Sequence, residues 1–99
     1  MSLNDLLVIE GEIESDEYDY YASIQKTING GMWGLQGSFG RTMMAAIEDG
    51  RCLLGNSRSK DYYGNVIPSR DDVQEGTKGS YSFVAQNYGV EWADFVASL

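Results

Sequence analysis

Ninety-nine residues, 42% of them apolar and twelve of them aromatic, suffice for one folded domain over residues 1–99 and are too hydrophobic for disorder throughout. The chain has no histidine, one cysteine and a formal charge of -8, which removes the commonest general base and metal ligand, excludes an intramolecular disulfide, and disfavours direct binding to nucleic acid. No apolar run approaches the roughly 20 residues of a membrane-spanning helix, and no basic-then-hydrophobic leader opens the sequence, so a cytoplasmic protein without membrane attachment is expected.

The charge is concentrated at one end. Residues 1–25 hold Asp5, Glu10, Glu12, Glu14, Asp16, Glu17 and Asp19 and no base before Lys26, for a charge of -7. Seven basic and six acidic side chains then nearly cancel over residues 26–78. A block this uneven repels itself, and must be solvated or directed at something positive.

Taken in order, Leu7, Ile9, Gly11 and Ile13 alternate with Val8, Glu10, Glu12 and Glu14, the period of two that predicts a half-buried strand over residues 8–14. A helix competes, since Leu6, Ile13 and Tyr20 stand seven apart and Ser2 precedes Asp5 by three as a capping pair does; Gly11 opposes it. Ser15 is expected to cap a second element, a helix with Asp16, Glu17 and Asp19 in its first turn, Tyr21, Ile24 and Ile28 on its buried side, and Asn29-Gly30-Gly31 as its stop. The glycine-punctuated stretch from Gly30 to Gly40, with Met32, Trp33, Leu35 and Phe39, reads as a packed loop.

Ser38 is placed as the cap of a helix carrying Phe39, Met43, Ala46 and Ile47 at helical spacing and ending at Glu48-Asp49-Gly50. Cys52-Leu53-Leu54 is a strand candidate, and Asp61-Tyr62-Tyr63-Gly64-Asn65 supplies turn chemistry ahead of Val66-Ile67, together suggesting a small hairpin that Pro68 ends. Ser69 and Asp72 match a cap for one helical turn closed by Gly76. Thr77 is expected to start a helix bearing Tyr81, Val84, Ala85 and Tyr88 and stopped by Gly89. Trp92, Phe95, Val96 and Leu99 predict a last amphipathic helix. The expected fold class is a small α+β domain, mostly helical with a small antiparallel sheet.

Catalytic signatures are incomplete. Gln36-Gly37-Ser38-Phe39-Gly40 falls one glycine short of a nucleophile elbow and has no histidine to activate Ser38, and the stretch from Gly34 to Arg41 has neither the spacing nor the lysine of a phosphate-binding loop. A weaker reading keeps Gly37, Ser38 and Arg41 as a candidate anion site at a helix start, against the simpler one in which the glycines only reverse the chain. Glu10, Glu12, Glu14 and Asp16 alternate like calcium ligands but without the glycine and glutamate positions that such a loop requires. No metal, cofactor or catalytic residue is assigned, and Cys52 between apolar neighbours reads as a buried small hydrophobe.

The acidic block supports a more specific reading. On a strand, Glu10, Glu12 and Glu14 stand about 6.6 to 6.8 Å apart, twice the roughly 3.4 Å advance per phosphate along one strand of duplex DNA. Such a row, extended by Asp16, Glu17 and Asp19 and interleaved with Tyr18, Tyr20 and Tyr21, would compete for the lysine- and arginine-lined groove of a nucleic-acid-binding protein. The competing explanation is a solvated, solubilising face.

This acidic, tyrosine-rich segment in a small histidine-free chain resembles small phage-encoded inhibitors of bacterial defence, the anti-CRISPR and anti-restriction proteins, and the later pieces Trp33-Gly34-Leu35-Gln36-Gly37-Ser38-Phe39-Gly40-Arg41 and Asp61-Tyr62-Tyr63-Gly64-Asn65 look like recurrent pieces of small uncharacterised phage proteins. The resemblance implies a non-enzymatic inhibitor, acting in the host cytoplasm on a basic nucleic-acid-binding protein or complex. It implies no catalytic residues and no fold. A different class remains open, an assembly module that oligomerises through Trp33, Phe39, Trp92 and Phe95 while the acids keep it in solution. An enzyme would have to build its site from carboxylates and Arg41 alone.

Overall fold

The structure is a computed structural model that describes residues 3–34 and 37–99. Helix α1, Leu3–Ile9, takes in the first two residues of the segment read as a strand, Val8 and Ile9, and residues 10–14 are turn and loop. Gly11 explains the difference, because its φ of +81° lets the backbone turn out of the helix while the N–H groups of Glu10, Gly11 and Glu12 bond back to the carbonyls of Leu6, Val8 and Leu7. The alternation of residues 7–14 therefore straddles a helix end and a loop, and Glu10, Glu12 and Glu14 form no strand row. The Ser2 cap of the competing helical reading, like Leu35 and Gln36 of the glycine-rich stretch, lies outside the described residues.

Helix α2, Glu17–Asn29, packs against α1 and has Asp16, not Ser15, as its cap. Asp16 is extended (φ -80°, ψ 180°), and its Oδ1 accepts the Asp19 N–H at 2.8 Å. Ile24 and Ile28 are buried and Tyr21 half-buried, as the spacing predicted, and the helix stops at Gly30 and Gly31. A 3-10 turn, Met32–Gly34, then sinks Trp33 into the core. Helix α3, Gly37–Glu48, buries Phe39, Met43, Ala46 and Ile47. It begins before Ser38, so that residue is not the cap; its carbonyl instead accepts the Thr42 hydroxyl within the helix, at 3.0 Å.

Cys52, Leu53 and Leu54 are buried but form no strand. Their backbone groups are satisfied from several directions. Gln25 bonds both the N–H and the carbonyl of Leu53, at 2.7 and 3.1 Å, Gly79 accepts the Leu54 N–H at 3.1 Å, and Arg70 Nε donates to the Leu54 carbonyl at 2.8 Å. The hairpin forms with another partner: β1, Ser59–Lys60, pairs antiparallel with β2, Val66–Ile67, in the register Ser59 to Ile67 and Lys60 to Val66. After Pro68, the Ser69 N–H and hydroxyl both donate to Asp72 Oδ2 at 3.0 Å, forming the expected capping contacts around a turn rather than a helix.

Helix α4, Tyr81–Tyr88, starts after Ser80, whose Oγ accepts the Phe83 N–H at 3.2 Å; Thr77 belongs to the preceding turn. Gly89, at φ +94°, breaks the chain between α4 and α5, Val90–Ala97. Leu53, Val84, Trp92, Ala93 and Val96 make one apolar cluster, and Ile24, Ile28, Trp33, Phe39, Met43 and Ile47 belong to the other. Tyr21 touches both. The result is the expected α+β fold, mostly helical with a two-stranded antiparallel sheet.

Candidate functional site

The seven N-terminal carboxylates separate into three groups. Asp5 is buried between α1 and α2, where its Oδ1 accepts the Ser23 hydroxyl at 3.1 Å. Glu17 pairs with Arg51, whose guanidinium also lies 4.0 Å from the Tyr88 ring centroid and 4.9 Å from that of Tyr21. Glu10, Glu12, Glu14, Asp16 and Asp19 are exposed, and among the described residues none of them is ion-paired.

The turn between α1 and α2 brings most of this last group together. Glu10, Glu14, Asp16 and Asp19 line a shallow concavity over Val8, Ile9, Ile13 and Tyr20. Two causes place them there: the left-handed Gly11 turns the chain back, and the capping role of Asp16 fixes where α2 begins. Acids at this helix start also meet the positive end of the backbone dipole, which offsets part of their mutual repulsion. Lys26 lies on an adjoining depression with Glu14 and Asp19 and tempers the field on that side. The arrangement is a curved acidic rim, so the strand-based match to phosphate spacing does not hold.

The tyrosines divide as well. Tyr18 is 57% exposed, with its ring 5.1 Å from that of Trp92 and 5.3 Å from that of Phe95. Tyr20 and Tyr21 are half-buried, meet edge to face at 5.1 Å and pack on the core. Burial pushes the Tyr21 hydroxyl above its ordinary pKa, against the opposing pull of Arg51. Tyr18 alone of the three presents most of its surface to a partner.

Ser38 and Arg41 do not converge on one cradle, and the surroundings of Gly37 lie outside what the structure describes. Ser38 borders a depression with Ile9, Glu10, Phe39 and Thr42, where the neighbouring carboxylate opposes an anion. Arg41 faces a separate pocket formed with Trp33, Tyr62 and Tyr63. Cys52 is fully buried, and burial pushes its thiol up to about 12, although Arg51 acts in the opposite direction. Among the described residues no three histidine, cysteine, aspartate or glutamate side chains are grouped to hold a metal ion, and no helix is long and apolar enough to cross a membrane.

Sequence reasoning missed two features. One is the polar network in which Gln25 holds Leu53, Asn29 Nδ2 donates to the Leu99 carbonyl at 3.0 Å, and Arg70 Nη2 donates to Asn29 Oδ1 at 3.2 Å. Its signal was present, because Gln25 stands four residues after Tyr21 and three before Ile28, on the stripe that had to be buried. The other is the pocket at Tyr62 and Tyr63, which nothing local in the sequence connects to Trp33 and Arg41. Comparison with family models, curated proteins and solved structures returns no match.

Proposed function

We propose that this chain is a non-enzymatic binding protein whose acidic rim engages a basic, nucleic-acid-binding surface on another protein. The observation that carries the proposal is the set of five exposed carboxylates, none ion-paired among the described residues, four of which (Glu10, Glu14, Asp16 and Asp19) the turn from α1 to α2 gathers around one concavity. Charge in that arrangement steers encounter with a lysine- and arginine-rich groove and gains from release of the groove's counterions. Glu10, Glu12, Glu14, Asp16 and Asp19 make the electrostatic contact, with Tyr18 beside them for stacking on arginine. Glu17 contributes less, since Arg51 already holds it. The resemblance to phage-encoded inhibitors extends this to a specific setting, in which the partner is the DNA- or RNA-handling machinery of a bacterial host and the rim competes with its nucleic acid.

The assembly reading has less to draw on. Trp33, Phe39 and Trp92 are buried within the chain, so a contact between copies through those rings requires the core to open. The two readings respond oppositely to salt. Pull-down from a bacterial lysate at low and moderate ionic strength, with the native chain beside a Glu10→Gln, Glu12→Gln, Glu14→Gln variant, is the test. The rim proposal expects one basic partner, captured by the native chain at low salt and lost in the variant. Capture that survives both salt and the variant would remove it.

A further inference from the structure

A second concavity, sharing no lining residue with the acidic one, lies between α3 and the hairpin. Trp33, Met44 and Ile67 lie beneath it, largely withdrawn from solvent, while Tyr62 and Tyr63 stand 63% and 76% exposed beside it. Its volume is about 210 Å³. An apolar cavity of about 150 Å³ accepts benzene, so the space suits one flat ring or a fused pair.

The turn that carries the tyrosines is held in place. Asp61 Oδ1 accepts the Tyr63 N–H at 2.9 Å and the Asn65 N–H at 2.8 Å, and Oδ2 accepts the Asn65 side-chain amide at 3.2 Å. Gly64, at φ +85°, completes the turn, and the two rings meet edge to face at 5.3 Å. Carrying two large exposed rings on a locked turn presents aromatic faces for stacking without having to order the backbone when a ring arrives.

The polar groups choose the ligand's charge. Both oxygens of Asp61 already accept hydrogen bonds from the turn, whereas the exposed Arg41 guanidinium has no hydrogen bond or ion pair among the described residues. The site therefore offers unused donors beside aromatic faces, and a guanidinium matches a phosphate with two parallel hydrogen bonds. We infer that this pocket binds a nucleotide, its base against Trp33, Tyr62 and Tyr63 and its phosphate on Arg41. The net charge of -8 limits the ligand to a mononucleotide, because every further phosphate of a strand adds repulsion. This site does not depend on the acidic rim.

The test is an NMR titration of the full ¹⁵N-labelled chain with the common nucleoside monophosphates, the matching nucleosides, inorganic phosphate and a short oligonucleotide. At least one monophosphate should give saturable shifts at the Trp33 indole N–H and the amides of Gly40, Arg41, Tyr62 and Tyr63. Arg41→Gln should weaken it about tenfold while leaving nucleoside binding unchanged. Tyr62→Ala with Tyr63→Ala, at exposed positions that the core does not require, should weaken both ligands. The Glu10→Gln, Glu12→Gln, Glu14→Gln variant should bind as the native chain does. Shifts that never saturate, shifts centred elsewhere, inorganic phosphate or an oligonucleotide matching the mononucleotide, or indifference to Arg41→Gln would each overturn the assignment.

Discussion

Gln25 is fully buried on α2, and its amide holds Leu53 as a neighbouring strand would, donating to the carbonyl at 3.1 Å and accepting the N–H at 2.7 Å. Replacing it with leucine keeps the volume but strands both backbone groups away from water. Each such group costs about 1–3 kcal/mol, so Gln25→Leu should lower unfolding free energy by about 2–4 kcal/mol in urea denaturation. A loss near zero would mean that water satisfies Leu53 instead. Cys52, the neighbouring residue, reports on the same region. Its thiol is fully covered and pushed up to about 12 by burial, so at pH 8 it is protonated as well as inaccessible. Alkylation by iodoacetamide should therefore be negligible in the native protein and complete in urea, at a rate set by opening of the fold. Fast native labelling would contradict the buried position.

Elements with repeated apolar spacing were legible from the sequence, and elements defined by a single cap or by distant partners were less so. Helices α2, α3 and α5 follow from Tyr21, Ile24 and Ile28, from Phe39, Met43 and Ile47, and from Trp92 and Val96, because period 3.6 is a property of the chain itself. The strand expected at residues 8–14 failed because alternation over a few residues does not register a helix that ends at Ile9 and a chain that turns away at Gly11. The one expected at residues 52–54 failed because its hydrogen-bond partners are side chains and loop backbone remote in sequence. In the candidate site, the acidic character of the segment was legible from charge alone, while which acids stay exposed, the curvature of the rim and the withdrawal of Asp5 and Glu17 depended on tertiary neighbours. The hairpin turn was legible for a local reason, the acceptor chemistry of Asp61, and this makes it pH-sensitive. Hydrogen bonds from the Asn65 N–H first, then from the Asn65 side chain and the Tyr63 N–H, hold the Asp61 carboxyl below its usual pKa. A depressed folded value means that the stabilisation is complete above the unfolded pKa of about 3.9 and is lost as pH falls through the folded one. Amide exchange at Tyr63 and Asn65 should thus be slow at pH 5, relative to intrinsic rates, stay slow at pH 4, and lose protection only as pH falls further, through the depressed folded value. Asp61→Ala should show the unprotected behaviour at both.

For the whole molecule, the extents of 33 × 32 × 18 Å describe a flattened body, in which charges on one edge have little protein between them and solvent. Five carboxylates at and near the turn from α1 to α2, none ion-paired among the described residues, repel one another more strongly when folded together than when the chain is extended, so the native state carries a repulsive contribution that the unfolded state largely sheds. Salt screens this over about 10 Å at 0.1 M, and the thermal midpoint should rise by a few degrees as ionic strength increases from a few millimolar. The two ion pairs among the described residues, Glu17 with Arg51 and Arg58 with Asp72, respond in the opposite sense. Surface pairs contribute little, so the rim should dominate. Exchanging Glu10, Glu12 and Glu14 for glutamine separates the contributions: the variant should melt higher than the native chain at low salt and lose most of the salt dependence, while the ion pairs remain. Scanning calorimetry across a salt series reads both quantities. A variant that melts lower, or a native midpoint that falls with salt, would mean that the chain's own cations neutralise the rim, and the proposed contact with a basic partner would lose its physical basis.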